Sequence, residues 1–419
     1  MLDFKDAPYR FYPAKPNPFI MWIGSWLNRK FFLPGVENRV EGVEVSGAIE
    51  AVRDLKKNGK RILFIPNHST QSDPYLMMEV QRQLGVPSCF MAAYDVFLDN
   101  GPFRAWVMQQ IGCFSVDRDS SDSRAMKAAL DVMTRGKYAL TIFPEGNVYL
   151  TNDRVTPFLE GAAFLAFKAQ KELGEDEPIH AVPVSIKLTH LADVRSKVMD
   201  RLRELAREAE TELDGSAPPL AELARIGSLH VTEALRERGY LKNGDEITAD
   251  GGDLHEKLLG VAAEIIGRLE EKMDLSARPK DDVTTRFRKV RSAIHQIRVD
   301  PEKSTKHRVA AAWADEAILA LRILGYSEPY VAENPTLDRF SETVTKLVQD
   351  VYSEPQNPIG DRKALVEVGA PVALPDRFAA ASGKMRNAAR DLTAELEASV
   401  QAGLDAINAR NDFSGSETF

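Results

Sequence analysis

His68 and Asp73 stand five positions apart in the run Pro66-Asn67-His68-Ser69-Thr70-Gln71-Ser72-Asp73. An aspartate can accept from one imidazole nitrogen and fix the tautomer, leaving the other nitrogen to take a proton. That is what a general base needs to activate an alcohol. The flanking sequence supplies a place for it. Arg61-Ile-Leu-Phe-Ile-Pro66 reads as a short apolar strand that delivers His68 to a loop at its C-terminal end. Asp73-Pro74 reads as a helix start, with Asp as N-cap and Pro at the first helical position, and a helix N-terminus favours an ionised carboxylate. In an open α/β sheet, sites form in that crevice. The competing reading is a histidine that only hydrogen-bonds locally at a strand end. The spacing itself is not specific, because it recurs at His295 and Asp300. There it sits in the basic helical run His295-Gln-Ile-Arg298 with no strand before it, and it reads as a solvated face.

Three further runs end strands in the same region. Phe143-Pro144-Glu145-Gly146-Asn147 puts a carboxylate on a turn between Pro and Gly. This suits binding of a polyol's hydroxyls, or is an ordinary tight turn with a surface acid. Gly112-Cys113-Phe114-Ser115-Val116-Asp117-Arg118 ends on an arginine that could hold a phosphate bidentately or pair with Asp117 or Asp119. Ala181-Val182-Pro183-Val184 reads as a buried strand in which packing is the default role. Four such motifs in order are more specific than any one of them.

The elements that must position them alternate from about residue 40 to 190. Strands are expected at 61–66, 89–93, 113–117, 138–143 and 180–188. Helices are expected from Asp73 to Gly85, Pro102 to Ile111, Ser121 to Arg135, and Thr156-Pro157 to about Leu173. Such alternation predicts an α/β fold with a mostly parallel sheet covered by helices. From about 191 to 356 the chain is helical and heavily charged, with helices at 192–213, 255–273, 285–297, 307–324 and 337–351. Breaks fall at Asn243-Gly244, Gly251-Gly252 and Asn334-Pro335. Ala364 to Leu374 then reads as a strand, and a lone strand cannot satisfy its backbone groups. It is therefore expected to return to the early sheet, which makes the helical block a large insertion. The expected organisation is an N-terminal membrane-associating segment (1–40), an α/β domain (41–190), a helical insertion (191–358), a returning strand (359–374) and a C-terminal helical segment (375–419, helical over 378–410).

The 419 residues are 44% hydrophobic and 28% charged, which reads as globular. A net charge of -8 lacks the basic footprint of a nucleic-acid binder. The two cysteines, Cys89 and Cys113, exclude a disulfide framework and a cysteine-based metal site, and suit a reducing cytoplasm. MLDFKDAPYR does not read as a signal peptide, and no run reaches the roughly 18 to 20 apolar residues of a spanning helix. Pro18 to Leu27, with Trp22 and Trp26, followed by Asn28-Arg29-Lys30-Phe31-Phe32, suits a helix lying in a membrane interface, or one packed on the protein's own core.

Together the four motifs resemble the conserved blocks of the glycerolipid acyltransferase family, which includes glycerol-3-phosphate and lysophosphatidate acyltransferases. Asn67 to Asp73 resembles that family's Asn-His-x4-Asp block. Gly112 to Arg118 resembles its Gly-x-x-Phe-x-x-Arg block in spacing, with Ser115 in the usual Phe place. Phe143 to Gly146 matches Phe-Pro-Glu-Gly, Val182 to Val184 matches Val-Pro-Val, and Val366 to Pro371 resembles the terminal Val-Gly-x-Pro strand. The resemblance covers roughly 40–190 and 362–374 and leaves out the helical insertion. It implies an acyltransferase of phospholipid biosynthesis in which His68 is the general base and Asp73 its orienting partner. Asn67, Glu145 and Gly146 would shape the acceptor site, and Arg118 would hold a phosphate or other anion. The donor would be acyl-CoA or acyl carrier protein and the acceptor a glycerol phosphate or lysolipid. No metal or redox cofactor is implied, and the location would be cytoplasmic, peripheral on the inner face of the membrane. Two alternatives stay open: a non-catalytic lipid-binding protein on the same fold, and an acyl thioesterase. No Gly-x-Ser-x-Gly elbow occurs to support an ester hydrolase. Where family members often continue Glu-Gly-Thr-Arg-Ser, this chain has Glu145-Gly146-Asn147-Val148-Tyr149. Where many carry lysines before the next Gly, it has Leu159-Glu160-Gly161, with Arg154 the candidate compensating cation.

Overall fold

Leu63 and Ile65 face one apolar layer and Ile62 and Phe64 the other, so the strand they form is buried on both faces, as a central parallel strand must be. The structure is a computed structural model. It describes residues 9–419 apart from 100, 120, 121, 243, 249–253, 279–280, 327–328 and 382–383. Residues 1–8, the expected helix start at Ser121 and the expected breaks at Asn243 and Gly251-Gly252 lie outside the described residues.

The strands are β1 (Val40–Gly47), β2 (Arg61–Pro66), β3 (Ser88–Ala93), β4 (Cys113–Val116), β5 (Ala139–Thr141), β6 (Ile179–His190), β7 (Arg362–Val368) and β8 (Val372–Ala373). They form one sheet in the order β1-β7-β6-β2-β5-β3-β4, with β8 on β6. From β6 to β4 all neighbours are parallel. β7 runs antiparallel to β6 and parallel to β1. The helices of the same unit are α1 (Pro18–Leu27), α2 (Ile49–Lys57), α3 (Asp73–Leu84), α4 (Tyr94–Asp99), α5 (Gly101–Gln110), α6 (Ser123–Arg135) and α7 (Gly161–Leu173). Between β6 and β7 come α8 (Arg195–Glu208), α9 (Pro219–Glu237), α10 (Leu254–Lys272), α11 (Val283–Val299), α12 (His307–Leu324), α13 (Tyr330–Glu333) and α14 (Leu337–Tyr352). After β8 come α15 (Leu374–Ala380) and α16 (Met385–Arg410). One face of the sheet is covered by α6, α7 and α16 and the other by α3 with Val52, Phe97 and Ala105 of α2, α4 and α5.

Contacts divide the described chain into a sheet unit, residues 9–192 and 360–417, and a helical unit built chiefly of 193–359. In the helical unit α8, α9 and α14 share a core that includes Leu202, Ile226, Phe340 and Val344, and Phe419 stacks on Phe340 with ring centroids 3.8 Å apart. α10, α11 and α12 pack on one another.

Several sequence expectations need correction. Asp73 is the first residue of α3 and Ser72 occupies the N-cap, so Pro74 falls one position later than expected. The helix expected from Thr156-Pro157 begins at Gly161, because amides before it donate elsewhere: Thr156 to Glu145, Phe158 to Glu397, and Leu159 to Pro144 O. The expected 192–213 helix spans only Arg195–Glu208. The late strand ends at Val368 and resumes as β8 after a break, where Gly369 N–H donates to Pro183 O at 2.9 Å. His295 is buried rather than solvated, since Val290, Arg291, Ile294 and His295 form the inward stripe of α11. The strand β1 and helices α2 and α9 carry no expectation from the sequence reading.

Candidate active site

β2 and β5 are neighbours, yet the helices that follow them, α3 and α7, pack on opposite faces of the sheet. A crevice opens at such a reversal, beyond the carboxyl ends of the strands. His68 follows β2 and Glu145 follows β5, so both project from this point.

The loop carrying His68 is fixed at each end. Asn67 is buried, and its amide bridges the backbone of β6. Ile186 N–H donates to its Oδ1 at 2.7 Å, and its Nδ2 donates to Ile186 O at 2.9 Å. Both amide atoms are thus engaged by the sheet, and Asn67 extends the β2–β6 pairing into the loop. At the other end Asp73 is fully buried. Its Oδ2 accepts from Thr70 N–H at 2.8 Å and its Oδ1 from Thr70 Oγ1 at 3.0 Å. The same Oδ2 lies 3.0 Å from His68 Nδ1. A carboxylate so placed accepts a hydrogen bond from Nδ1–H and leaves Nε2 with its lone pair. The Phe143 ring lies against the imidazole at 4.3 Å between centroids.

Glu145 is not the surface acid of the bland reading. It is 2% exposed, and it joins two segments. His68 N–H donates to its Oε1 at 2.6 Å and Thr156 N–H to its Oε2 at 3.2 Å. Burial pushes its carboxyl up to about 7, against the lowering effect of those two donors and of His68. Gly146 takes φ of 75°, and a Cβ there would meet Leu159 Cδ1 at 2.9 Å. The glycine therefore serves both the turn and the close approach of the returning chain. Arg118 reaches this turn from the end of β4. Its Nη1 donates to Gly146 O at 2.9 Å and Asn147 Oδ1 at 3.0 Å, and its Nη2 pairs with Asp95 at 3.1 Å. Asp95 is a partner that the sequence reading did not weigh.

Ser115, in the usual Phe place, has a backbone role that sequence reasoning missed. Tyr12 N–H donates to its Oγ at 2.8 Å, and its own N–H donates to Tyr12 O at 3.0 Å. A small hydroxyl here lets the N-terminal segment run along the edge strand β4. That segment also bonds Gln109 and Gln110 at the end of α5 through Lys15 N–H and Asn17 N–H, which places α1 beside α5. Gly24 of α1 leaves room for Ile111, whose Cγ2 lies 3.1 Å from where a Cβ would stand. The outer surface is aromatic. Phe19, Trp22 and Trp26 of α1 and Phe31 and Phe32 of the following π-helical turn are exposed, and so are Phe103 and Trp106 of α5, Phe103 at 73%. None of the residues of α1 itself is buried, and its inner face, Ile20, Met21, Ile23 and Gly24 among it, is half-buried.

Among the described residues no helix is long and apolar enough to cross a membrane, and no group of three or more His, Cys, Asp or Glu could hold a metal ion.

A family model described as acyltransferase matches residues 42–187, the stretch that carries His68, Asp73, Arg118 and Glu145. The chain is similar to the glycerol-3-phosphate acyltransferase of Baumannia cicadellinicola, 24% identical over 217 residues, 49% of this chain and 24% of that one. It is similar to that of Aeromonas hydrophila, 25% identical over 232 residues, 54% of this chain and 25% of the other. With that of Pseudoalteromonas atlantica it shares 27% identity over 170 residues, 39% of this chain and 20% of the other. The chain spans a quarter or less of the length of these curated relatives. Residues 42–187 are thus what the chain has in common with acyltransferases.

Proposed function

We propose that this protein is an O-acyltransferase that moves a fatty acyl group from an acyl thioester, acyl-CoA or acyl carrier protein, to a hydroxyl of a glycerol phosphate or lysolipid at a membrane surface. The observation that carries this reading is the His68–Asp73 pair at the β2–β5 crevice, with Glu145 against the His68 backbone. His68 Nε2 takes the proton of the acceptor hydroxyl as its oxygen attacks the thioester carbonyl carbon. The carbon–sulfur bond breaks, and the departing thiolate takes the proton from His68. Asp73 holds the ring and stabilises the imidazolium that forms. Glu145 and Gly146 shape the acceptor side, and Asn67 keeps the His68 loop in register with β6. An anionic group on the acceptor competes with Asp95 for Arg118. The aromatic surface of α1 and α5, flanked by Arg29, Lys30 and Arg104, meets the lipid headgroup region.

The test mixes the purified chain with palmitoyl-CoA, alone or with glycerol 3-phosphate or lysophosphatidate, and follows free thiol. Acceptor-dependent release is the expected result. Release that ignores the acceptor would assign a thioesterase, and no release a lipid-binding role.

A further inference from the structure

The helix that closes the sheet unit, α16, lies far outside the region matched by the family model, yet it reaches the acid of the candidate site. It lies directly on β6. Gly403 has no side chain where a Cβ would fall on Ser185 Oγ, and Ser185 Oγ donates to Val400 O at 2.7 Å. This close seating aims two polar side chains of α16 at the chain returning from the Glu145 turn. Gln401 Oε1 accepts from Val155 N–H at 2.9 Å, and its Nε2 donates to Asp153 O at 3.1 Å. One turn earlier, Glu397 Oε2 accepts from Phe158 N–H at 2.6 Å.

Those backbone groups belong to the strap 153–159, which borders the turn. Thr156 N–H donates to Glu145 Oε2, and Leu159 N–H donates to Pro144 O at 2.9 Å. The strap has no helix or ladder of its own to satisfy it. The amides of Val155, Thr156, Phe158 and Leu159 depend on Glu145 and Pro144 on one side and on α16 on the other.

We propose that Glu397 and Gln401 are positioning residues for the acceptor side of the site: they hold the strap whose Thr156 amide fixes the Glu145 carboxylate. The inference rests on the acyl-transfer reading, in which Glu145 shapes the acceptor side. It adds that the acceptor site is completed by the C-terminal helix, while the Asp73 carboxylate that orients His68 is held by Thr70.

The experiment uses the full chain with Gln401→Ala, Glu397→Ala and Glu397→Gln. It measures KM for glycerol 3-phosphate and for palmitoyl-CoA, the pH profile and the melting temperature. Losing one or two net hydrogen bonds of about 1 kcal/mol each should raise the acceptor KM roughly tenfold. The donor KM should stay within about twofold. Glu397→Gln keeps an acceptor oxygen for Phe158 N–H and should restore most of the loss. Glu145 is faced by His68 and the Thr156 amide, and weakening the Thr156 donor moves its titration upward from about 7. An unchanged acceptor KM in the folded Ala variants would overturn the proposal. So would parallel rises in both KM values with a lowered melting temperature, or unfolding of both Ala variants, since either assigns these residues to the fold alone. A wild-type protein with no acceptor-dependent release defeats the acyl-transfer reading itself; an active wild type with indifferent variants defeats only the clamp.

Discussion

Replacing Glu145 by Gln tests the electrostatics of the site without any substrate. The carboxyl titrates at about 7 in the folded chain against 4.5 when exposed, chiefly because burial penalises its charge. A displacement of that size corresponds to about 3 kcal/mol, at about 1.4 kcal/mol per pH unit. The folded state holds the proton more tightly, so the contribution is fully present below 4.5 and is lost as pH rises through about 7. The wild-type unfolding free energy should therefore fall by about 3 kcal/mol across that window relative to a variant with no ionisable group there. Glutamine keeps the shape but turns an amide group toward one of the two N–H donors, a loss of about 1 to 3 kcal/mol that does not depend on pH. The signature is the slope of the difference curve, because the offset belongs to the lost acceptor. The assay is urea unfolding from pH 4.5 to 8.5, read by a brief deuterium pulse at one fixed pH on peptides covering β2 and β5. Peptides from the sheet unit keep the helical unit out of the measurement. Parallel stability curves for wild type and Glu145→Gln would refute the argument.

His68→Ala should cost about 10² to 10⁴-fold in acyl transfer with an unchanged melting temperature, and near-normal turnover by the folded variant rules out the base mechanism. Asp73→Asn should be comparably severe, because the amide fixes the wrong imidazole tautomer; full activity there would show that His68 needs no partner. The double variants Trp22→Ala/Trp26→Ala and Phe103→Ala/Trp106→Ala should each lower co-sedimentation with anionic liposomes at least tenfold, since each burial forgone is worth about 1.5 to 3 kcal/mol; wild-type binding by either pair removes that helix from the membrane surface. Lys187→Ala removes the ion-pair partner of Asp153, both being buried, and should cost about 3 to 5 kcal/mol in urea unfolding, whereas Lys187→Met with Asp153→Leu should recover most of it; a loss near zero for Lys187→Ala would mean that water reaches the pair.

The sheet was legible where apolar runs are dense. Arg61 to Pro66 and His180 to Leu188 read directly as strands, and the period-2 run at Val366 and Val368 marks the late strand. β1 was not, because Val40-Glu-Gly-Val-Glu-Val-Ser-Gly47 interrupts its apolar pattern, and its neighbour β7 arrives from the other end of the chain. The proximity of His68 to Asp73 is local and readable from spacing. The burial of Glu145 is not, since it depends on a strap whose amides are satisfied by α16. The same long-range demand explains why a helix start at Thr156-Pro157 was expected too early. The inward stripe of α11 was hidden by its basic residues, because the side chains buried between helices include Arg291 and His295. On α5, Phe103 and Trp106 carried no signal in sequence; only the fold sets them beside α1.

The place of β7 also governs when the protein can exist during synthesis. Val45 pairs with Val366 and Ile186 with the same residue from the other side, so β1 has no strand beside it in the sheet until the ribosome has passed the whole helical unit. A nascent chain that has completed β6 carries that strand with one unpaired flank, a template for association with other chains. The helical unit can form most of its core meanwhile from residues 193–359, with Phe419 added last. Contacts of such sequence separation close slowly. Closure of the sheet, seating of α16 and maturation of the Glu145 turn thus become one late event that waits for β7 and α16 to emerge. A chain released early carries His68 and Asp73 but lacks the pieces that finish the acceptor side. Translation stalling in the helical unit should accordingly yield molecules that engage chaperones or aggregate, rather than partly active enzyme.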